Sequence, residues 1–76
     1  MINPNPNRGK FTIDWGQSYE EVQLSIYDVS GKMIDARTVY AAEQVSLTIN
    51  QGRGVYLVQI HTKEGLLETV KVVVSD

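Results

Sequence analysis

The feature that most constrains the fold is residues 54–60, which follow a glycine-rich turn and contain nothing that breaks an extended chain. Because successive side chains of a β-strand alternate between its two faces, Tyr56, Val58 and Ile60 share one wholly apolar face. The other face is mixed, since Gln59 lies there among apolar residues. This pattern predicts a central strand with one side in the core of an antiparallel structure.

Similar alternation recurs in short segments along the chain, each bounded by residues typical of turns, and no segment has a helical period. The sequence predicts one all-β domain over residues 1–76, a small immunoglobulin-like antiparallel β-sandwich of about seven strands. The predicted segments are an extended Asn-Pro arm over 2–9 and, within a sandwich over 10–75, strands over 10–15, 21–28, 33–40, 45–49, 54–60 and 66–75, with polar loops at 16–18 and 42–44.

Glycines mark the two predicted hairpin turns. Asp28 can accept hydrogen bonds from the turn backbone, and Gly31 supplies the left-handed conformation that such a turn requires. Gly65 repeats this arrangement before the last strand. The irregular apolar pattern of residues 33–40 predicts a β-bulge near residues 35–37.

Composition argues against several classes of function. The net charge is −2, and its nine acidic and seven basic residues are spread along the chain, so no basic stripe for nucleic acid appears. There is no cysteine for a disulfide or a thiolate metal site, and no apolar run approaches the roughly 20 residues that span a membrane. No signal peptide follows Met1, so the chain is expected to be cytosolic or one piece of a longer exported protein.

Catalytic groups are also sparse. The only histidine, His61, lies on the mixed face of the central strand, and no serine has the glycine neighbours of a nucleophile elbow. The carboxylates match neither a calcium loop nor a glycosidase pair. We therefore expect no enzyme active site, no metal site and no cofactor.

Two features suggest binding. The aromatic residues could form a platform for sugars, although packing is the plainer role, with Tyr56 in the core and Trp15 capping one end of the sandwich. The Asn-Pro arm and the valine-rich last strand are the predicted sheet edges, and unpaired strand backbone can dock another protein. The alternative is an edge that the prolines protect.

Three stretches together resemble the type A C-terminal sorting domain of the type IX secretion system, also called the Por secretion system. Residues 3–11, NPNPNRGKF, are similar to its Asn-Pro arm and following strand. Residues 24–32, LSIYDVSGK, are similar to its apolar strand and Gly-Lys hairpin. The third stretch combines residues 54–60, GVYLVQI, with Gly65 and the basic, valine-rich residues 71–74. The chain ends on Asp76, where many members end on a basic residue.

The resemblance implies a non-catalytic address that directs a covalently linked N-terminal cargo across the outer membrane. Its implied partners are the outer-membrane translocon, a shuttle protein and a sortase-like protease. The cargo would pass through the periplasm, and cleavage upstream of the arm would leave it on the cell surface or release it. The alternatives are a fibronectin-like or carbohydrate-binding module of an extracellular enzyme, and an interaction domain that dimerises through its last strand.

Two sets of residues follow from these considerations. The predicted recognition residues are Lys71, Val72, Val73, Val74 and Ser75, with the turn Gly52, Arg53 and Gly54. The residues expected to support the fold are Asn3, Pro4, Asn5, Pro6, Gly9, Gly31, Tyr56 and Gly65.

Overall fold

The computed structural model describes residues 2–75 and consists of β-strands joined by turns. The strands are β1 (Ile2–Asn3), β2 (Lys10–Asp28), β3 (Met33–Thr48), β4 (Gly54–Thr62) and β5 (Leu67–Val74). All of them belong to one antiparallel sheet. The all-β, antiparallel prediction is confirmed, whereas the predicted seven strands are five among the described residues.

Strand β2 is the centre of the sheet. Strand β3 pairs along one side of it, from Lys10 opposite Thr48 to Tyr27 opposite Met33. The other side is shared by two strands, because β1 pairs with Thr12 and Ile13 while β4 pairs with residues 22–28. Strand β5 then pairs with β4, which places the chain's last strand beside its predicted central one.

The long β2–β3 hairpin folds back on itself. At about 3.3 Å per residue, the 19 residues of β2 would extend about 60 Å. The longest dimension of the molecule is 34 Å. Ile26, near the end of β2, lines the same small cavity as Ile49, which follows the end of β3. The two ends of β2 therefore lie close together, and the strand turns sharply between them.

The turn lies where the pairing register shifts, between Asp14 and Tyr19 of β2. The shift also changes which residues face inward, from odd-numbered Phe11 and Ile13 to even-numbered positions such as Leu24. The prediction of loops at 16–18 and 42–44 is wrong, because both segments belong to strands β2 and β3. Their polar residues are tolerated because the bend is exposed to solvent.

The core lies between the folded halves of the hairpin and the strands β4 and β5. The predicted inward face of the central strand is confirmed, since Tyr56, Val58 and Ile60 are all buried. The Tyr56 hydroxyl donates a 2.7 Å hydrogen bond to the Gly52 carbonyl, so its polar end is also satisfied. The buried apolar residues are Phe11, Ile13, Val22, Leu24, Ile26, Val45, Leu47, Ile49, Tyr56, Val58, Ile60, Val72 and Val74.

Both predicted hairpin turns are present. Gly31 and Gly65 have φ angles of 89° and 101°. The carboxylate of Asp28 accepts hydrogen bonds from the backbone N–H groups of Ser30 and Lys32, at 2.9 and 3.0 Å. The irregularity predicted near residues 35–37 occurs slightly earlier, where the register shifts opposite Ile26 and Tyr27.

Gly9 provides a test of backbone fit. Its φ is +114°, and a Cβ placed there would lie 2.7 Å from the carbonyl oxygen of Ile49. Gly9→Ala should therefore lower the free energy of unfolding by at least about 2 kcal/mol, from left-handed strain plus a backbone clash. Gly16→Ala is the matched control, because Gly16 also has positive φ but no atom lies within 4 Å of the added carbon. Denaturant unfolding of both variants measures the difference, and equal losses would contradict the clash.

The Asp28 turn predicts a pH dependence. The Ser30 hydroxyl donates a 2.6 Å hydrogen bond to Asp28 and, with the Lys32 N–H, lowers the pKa of that carboxyl below its ordinary value. A lowered folded-state pKa stabilises the protein above the unfolded-state pKa, and this contribution is lost as pH falls through the folded-state value. Asp28→Ala should therefore destabilise the domain at pH 7, and the difference from wild type should narrow below about pH 4. Urea unfolding across pH measures this, and a difference in stability that stays constant from pH 7 to about pH 3 would contradict the assigned role of the Asp28 carboxylate.

Candidate functional site

The Asn-Pro arm spans residues 2–9, and its residues 5–7 lie along the outer edge of β5. The backbone N–H of Asn7 donates to the Val73 carbonyl at 2.9 Å, and the N–H of Ser75 donates to the Asn7 carbonyl at 2.7 Å. These two bonds form a parallel bridge between Asn7 and Val74. The last strand is therefore bonded on both sides, to β4 and to the arm.

The side chain of Asn5 extends this pairing. Its Oδ1 accepts a 2.9 Å hydrogen bond from the Val73 N–H, and its Nδ2 donates to the Lys71 carbonyl at 3.2 Å. Asn5 lies between Pro4 and Pro6, neither of which has a backbone N–H to donate. A side-chain amide has the same donor and acceptor as a peptide group, so Asn5 takes the place of backbone pairing at this point.

Asn7 organises the turn from the arm into β2. Its side chain is buried, with Nδ2 donating to the Pro4 carbonyl at 3.0 Å and Oδ1 accepting from the Gly9 N–H at 2.8 Å. The Gly9 carbonyl in turn accepts from the Ile49 N–H at 2.7 Å. The arm therefore joins the end of β3 to the end of β5. Asn7, which makes these contacts, was not among the residues predicted to support the fold.

The predicted recognition residues of the last strand divide between two faces. Val72 and Val74 are core residues, with 0% and 7% of their surfaces exposed. Lys71 and Ser75 are exposed, and Val73 is half-buried. Only the odd-numbered positions present accessible side chains, so a partner can contact those three residues and not the two buried valines.

The predicted turn, Gly52, Arg53 and Gly54, is exposed and lies beside the same end of β5, because Gly54 pairs with Val74. Its best defined role is structural, since the Gly52 carbonyl accepts the hydrogen bond from Tyr56. The structure thus places the predicted recognition residues of the turn, 52–54, and those of the last strand, 71–75, at one end of the molecule.

A row of exposed apolar side chains on the outer sheet face was missed from the sequence. Tyr27 pairs with Leu57 across β2 and β4, and Val55 pairs with Val73 across β4 and β5. Val55 and Leu57 are 37% and 38% exposed, and Met33, opposite Tyr27, is 51% exposed. The only sign of this row in the sequence was the mixed face of the central strand. Its apolar residues form a patch only together with those of the neighbouring strands, and alternation does not predict which strands those are.

The prediction that the last strand is an open sheet edge is partly wrong. The arm is bonded to the Lys71 carbonyl, to both backbone groups of Val73 and to the Ser75 N–H, so the alternative of a protected end is the one found there. The outer side of β3 has no neighbouring strand among the described residues. Dimerisation through the last strand remains a prediction, and the arm would have to leave before residues 71–75 could pair with a second copy.

The remaining candidate groups are dispersed. His61 is exposed on β4, and Trp15, at the bend, is half-buried with its Nε1–H donating to the Ala42 carbonyl at 2.9 Å. Within residues 2–75 no group of three or more His, Cys, Asp or Glu side chains is placed to hold a metal ion. The same residues include no helix long and apolar enough to cross a bilayer.

Fold and site together define a small antiparallel β-domain whose last strand is bonded to its own N-terminal arm. The chain belongs to the secretion system C-terminal sorting domain family, whose model matches residues 1–75. No curated protein matches the chain. The resemblance of the three sequence stretches is thereby confirmed.

Family membership establishes the function at the level of a sorting signal. The domain is a C-terminal signal for type IX secretion, and the carbohydrate-binding alternative is not favoured. The family consists of sorting signals rather than enzymes. A signal of this kind implies interaction with the type IX machinery, an attached N-terminal cargo, and an exported protein destined for the cell surface or the extracellular space.

Asn5 tests the bonding of the arm. Asn5→Ala removes two hydrogen bonds to β5 while leaving the Asn7 bridge, so we expect a loss of about 1–2 kcal/mol in the free energy of unfolding. The amide of Val73 should also exchange with solvent faster than in the wild type. Asn3→Ala is the control, because no hydrogen bond joins its side chain to β5. Unchanged exchange at Val73 in Asn5→Ala, measured by NMR, would contradict the assigned contact.

Proposed function

We propose that the secretion machinery recognises the outer face of β4 and β5 rather than the backbone edge of β5. The observation that carries this proposal is the arm, which is bonded to the Lys71 carbonyl, to both backbone groups of Val73 and to the Ser75 N–H. What stays accessible is a set of side chains on the outer face: Lys71 and Val73 of β5 beside Leu57 and Val55 of β4.

Such a face suits a protein contact. Val55 and Leu57 present apolar area next to the half-buried Val73, and Lys71 adds a charge directly opposite Leu57. Protein interfaces typically combine an apolar centre with polar groups around it. The exposed Gly52–Gly54 turn borders this face and supports it through the bond to Tyr56.

The wider pathway follows from the same role. The domain meets the outer-membrane translocon and a shuttle protein after transit through the periplasm, and a sortase-like protease cleaves upstream of the arm. The cargo lies N-terminal to Ile2 and is anchored at the surface or released. Supporting this order, the arm is bonded to β5, so a cut upstream of it would leave the folded domain intact.

We also propose that residues 2–9 and 10–75 act as one sorting domain with two facing layers, as in an immunoglobulin-like sandwich. The fold-back of the β2–β3 hairpin supports this, because the early residues of β2 and its late residues share one core. We expect no catalysis from the domain itself. Its single histidine is exposed, and no described group of side chains surrounds it as an acid–base set.

Export of a reporter tests the recognition face. The test protein is a fusion of a signal peptide, a fluorescent protein and this domain, expressed in a bacterium that has the type IX pathway. Fluorescence at the cell surface and in the medium is measured and compared with that of a fusion that lacks the domain. The wild-type domain should export the reporter. Lys71→Glu should reduce export at least about threefold, because a rim charge at an interface is reversed, while the melting temperature stays unchanged.

Lys10→Glu is the matched control, since Lys10 is also an exposed strand lysine but lies on β2. It should export as the wild type does. Deletion of residues 71–76 should abolish export through loss of the core residues Val72 and Val74, which circular dichroism would show as unfolding. Equal export by Lys71→Glu and the wild type would exclude recognition through that side chain.

A further inference from the structure

The outer edge of strand β3 has no neighbouring strand among the described residues, because β3 pairs with β2 alone. Along residues 44–48 the pairing register with β2 runs without a shift. The side chains of Gln44, Ser46 and Thr48 are exposed there. An open edge of this kind presents backbone N–H and C=O groups with which another strand can pair.

The backbone of these same three residues is directed away from β2. The N–H of Ile49 donates to the Gly9 carbonyl at 2.7 Å, so Ile49 bonds toward the β2 side. Because successive residues of an antiparallel strand bond alternately to its two sides, Leu47 and Val45 bond toward β2 as well. The residues between them, at positions 44, 46 and 48, therefore direct their N–H and C=O groups to the open side.

Two other edges of the sheet are protected against further pairing. The arm is bonded to the edge of β5. In the first half of β3, Asp35 and Arg37 lie opposite core residues of β2, and a register shift interrupts the pairing. The Ala36 N–H is donated there to the Asp35 side chain at 2.9 Å. Inward-facing charges and bulges keep an edge from pairing, and residues 44–48 have neither.

The composition of residues 44–49 favours an identical strand as the partner. This segment, QVSLTI, contains no charged residue, proline or glycine, and short segments of this kind pair with copies of themselves. In an antiparallel pair with a two-fold axis at Ser46, Gln44 of each copy lies opposite Thr48 of the other. Val45 then lies opposite Leu47, at a non-hydrogen-bonded position where side chains are closest. No like charges meet in this register.

The distribution of charge also favours an antiparallel arrangement of two copies. The bend of β2 and β3 and the hairpin between β4 and β5 lie at one end of the molecule, which carries Glu20, Glu43 and Glu64. The opposite end, with the arm's turn into β2 and the turn before β4, carries Arg8 and Arg53. An antiparallel pair places the acidic end of each copy beside the basic end of the other, which attracts the copies at low and moderate salt.

We propose that the domain forms a two-fold dimer in which residues 44–48 of two copies pair as antiparallel strands. The Ser46 backbone groups of the two copies bond to each other, and those of Gln44 bond to those of Thr48. The arm keeps its place, so this contact differs from dimerisation through the last strand. The recognition face on β4 and β5 stays accessible, and the dimer does not depend on the sorting role. One pair of short strands forms a weak interface, so we expect a Kd of about 10 μM to 1 mM.

Sedimentation velocity and NMR on the 76-residue chain test the dimer. Between about 10 μM and about 1 mM the average mass of the wild-type domain should rise toward that of a dimer. The amide hydrogen of Ser46 should exchange with solvent more slowly at the higher concentration. The amide hydrogen of Thr38, on the protected first half of β3, should exchange at the same rate at both concentrations.

Two variants at the predicted two-fold axis test the register. Ser46→Lys and Ser46→Glu each place like charges opposite each other, so each should weaken homodimerisation at least about fivefold. An equimolar mixture of the two should form a heterodimer at least about fivefold more tightly than either variant forms a homodimer, because opposite charges then meet. Both variants lose the same 3.0 Å hydroxyl contact with Thr12, so that loss does not distinguish them. Thr38→Lys is the matched control on the other half of β3, and it should associate as the wild type does.

Several results would overturn the proposal. These are a constant mass up to about 1 mM, equal association of the wild type and both Ser46 variants, or a mixture that associates no better than each variant alone. Loss of association in Thr38→Lys and not in the Ser46 variants would also overturn it, by assigning the contact to the first half of β3. Because association is measured on the isolated domain, its failure is distinct from a failure of reporter export.

Discussion

The hydrogen bonds between the arm and β5 are the interaction on which the rest of the structure depends. They join residues 66 and 68 positions apart, Asn5 with Lys71 and with Val73. Contacts between such distant residues form late in folding, because a long loop must close before they contribute. The fold is therefore complete only when both ends of the chain are present, because loss of the arm exposes the edge of β5 and loss of β5 exposes the edge of β4. A domain of 76 residues has a small margin of stability with which to tolerate that loss.

The bend in β2 shows how far alternation can predict this fold. Phe11, Ile13, Val22 and Leu24 each stand between polar residues in an alternating pattern, and all four are buried. Alternation does not predict the path that the chain takes between these two alternating segments. Polar residues at 16–18 fit a loop and an exposed, extended bend equally well, and only pairing with β3 distinguishes them. The sign of the bend in the sequence is that inward-facing residues change from odd-numbered to even-numbered positions. In a straight strand the inward-facing positions would stay all odd or all even.

The position of the candidate site could be predicted from the sequence, but the hydrogen bonds that form it could not. The arm and the last strand were both identified as edges, and their mutual bonding was not, since hydrogen bonds between distant residues leave no period in a sequence. One local sign existed. An asparagine between two prolines has the only side chain there that can replace the missing backbone donors, and Asn5 does so. The burial of Val72 and Val74 followed from alternation, yet grouping residues 71–75 as one recognition set combined two faces with different roles.

Strand β5 can serve both folding and recognition because those roles fall on opposite faces. Even-numbered Val72 and Val74 are fixed by the core, while odd-numbered Lys71 and Val73 are open to a partner on the outer face. The backbone between them is held by β4 and the arm, so a partner meets a rigid surface and does not need to unfold it. A signal shared by many cargos benefits from that arrangement, because its recognised face then depends on the domain alone.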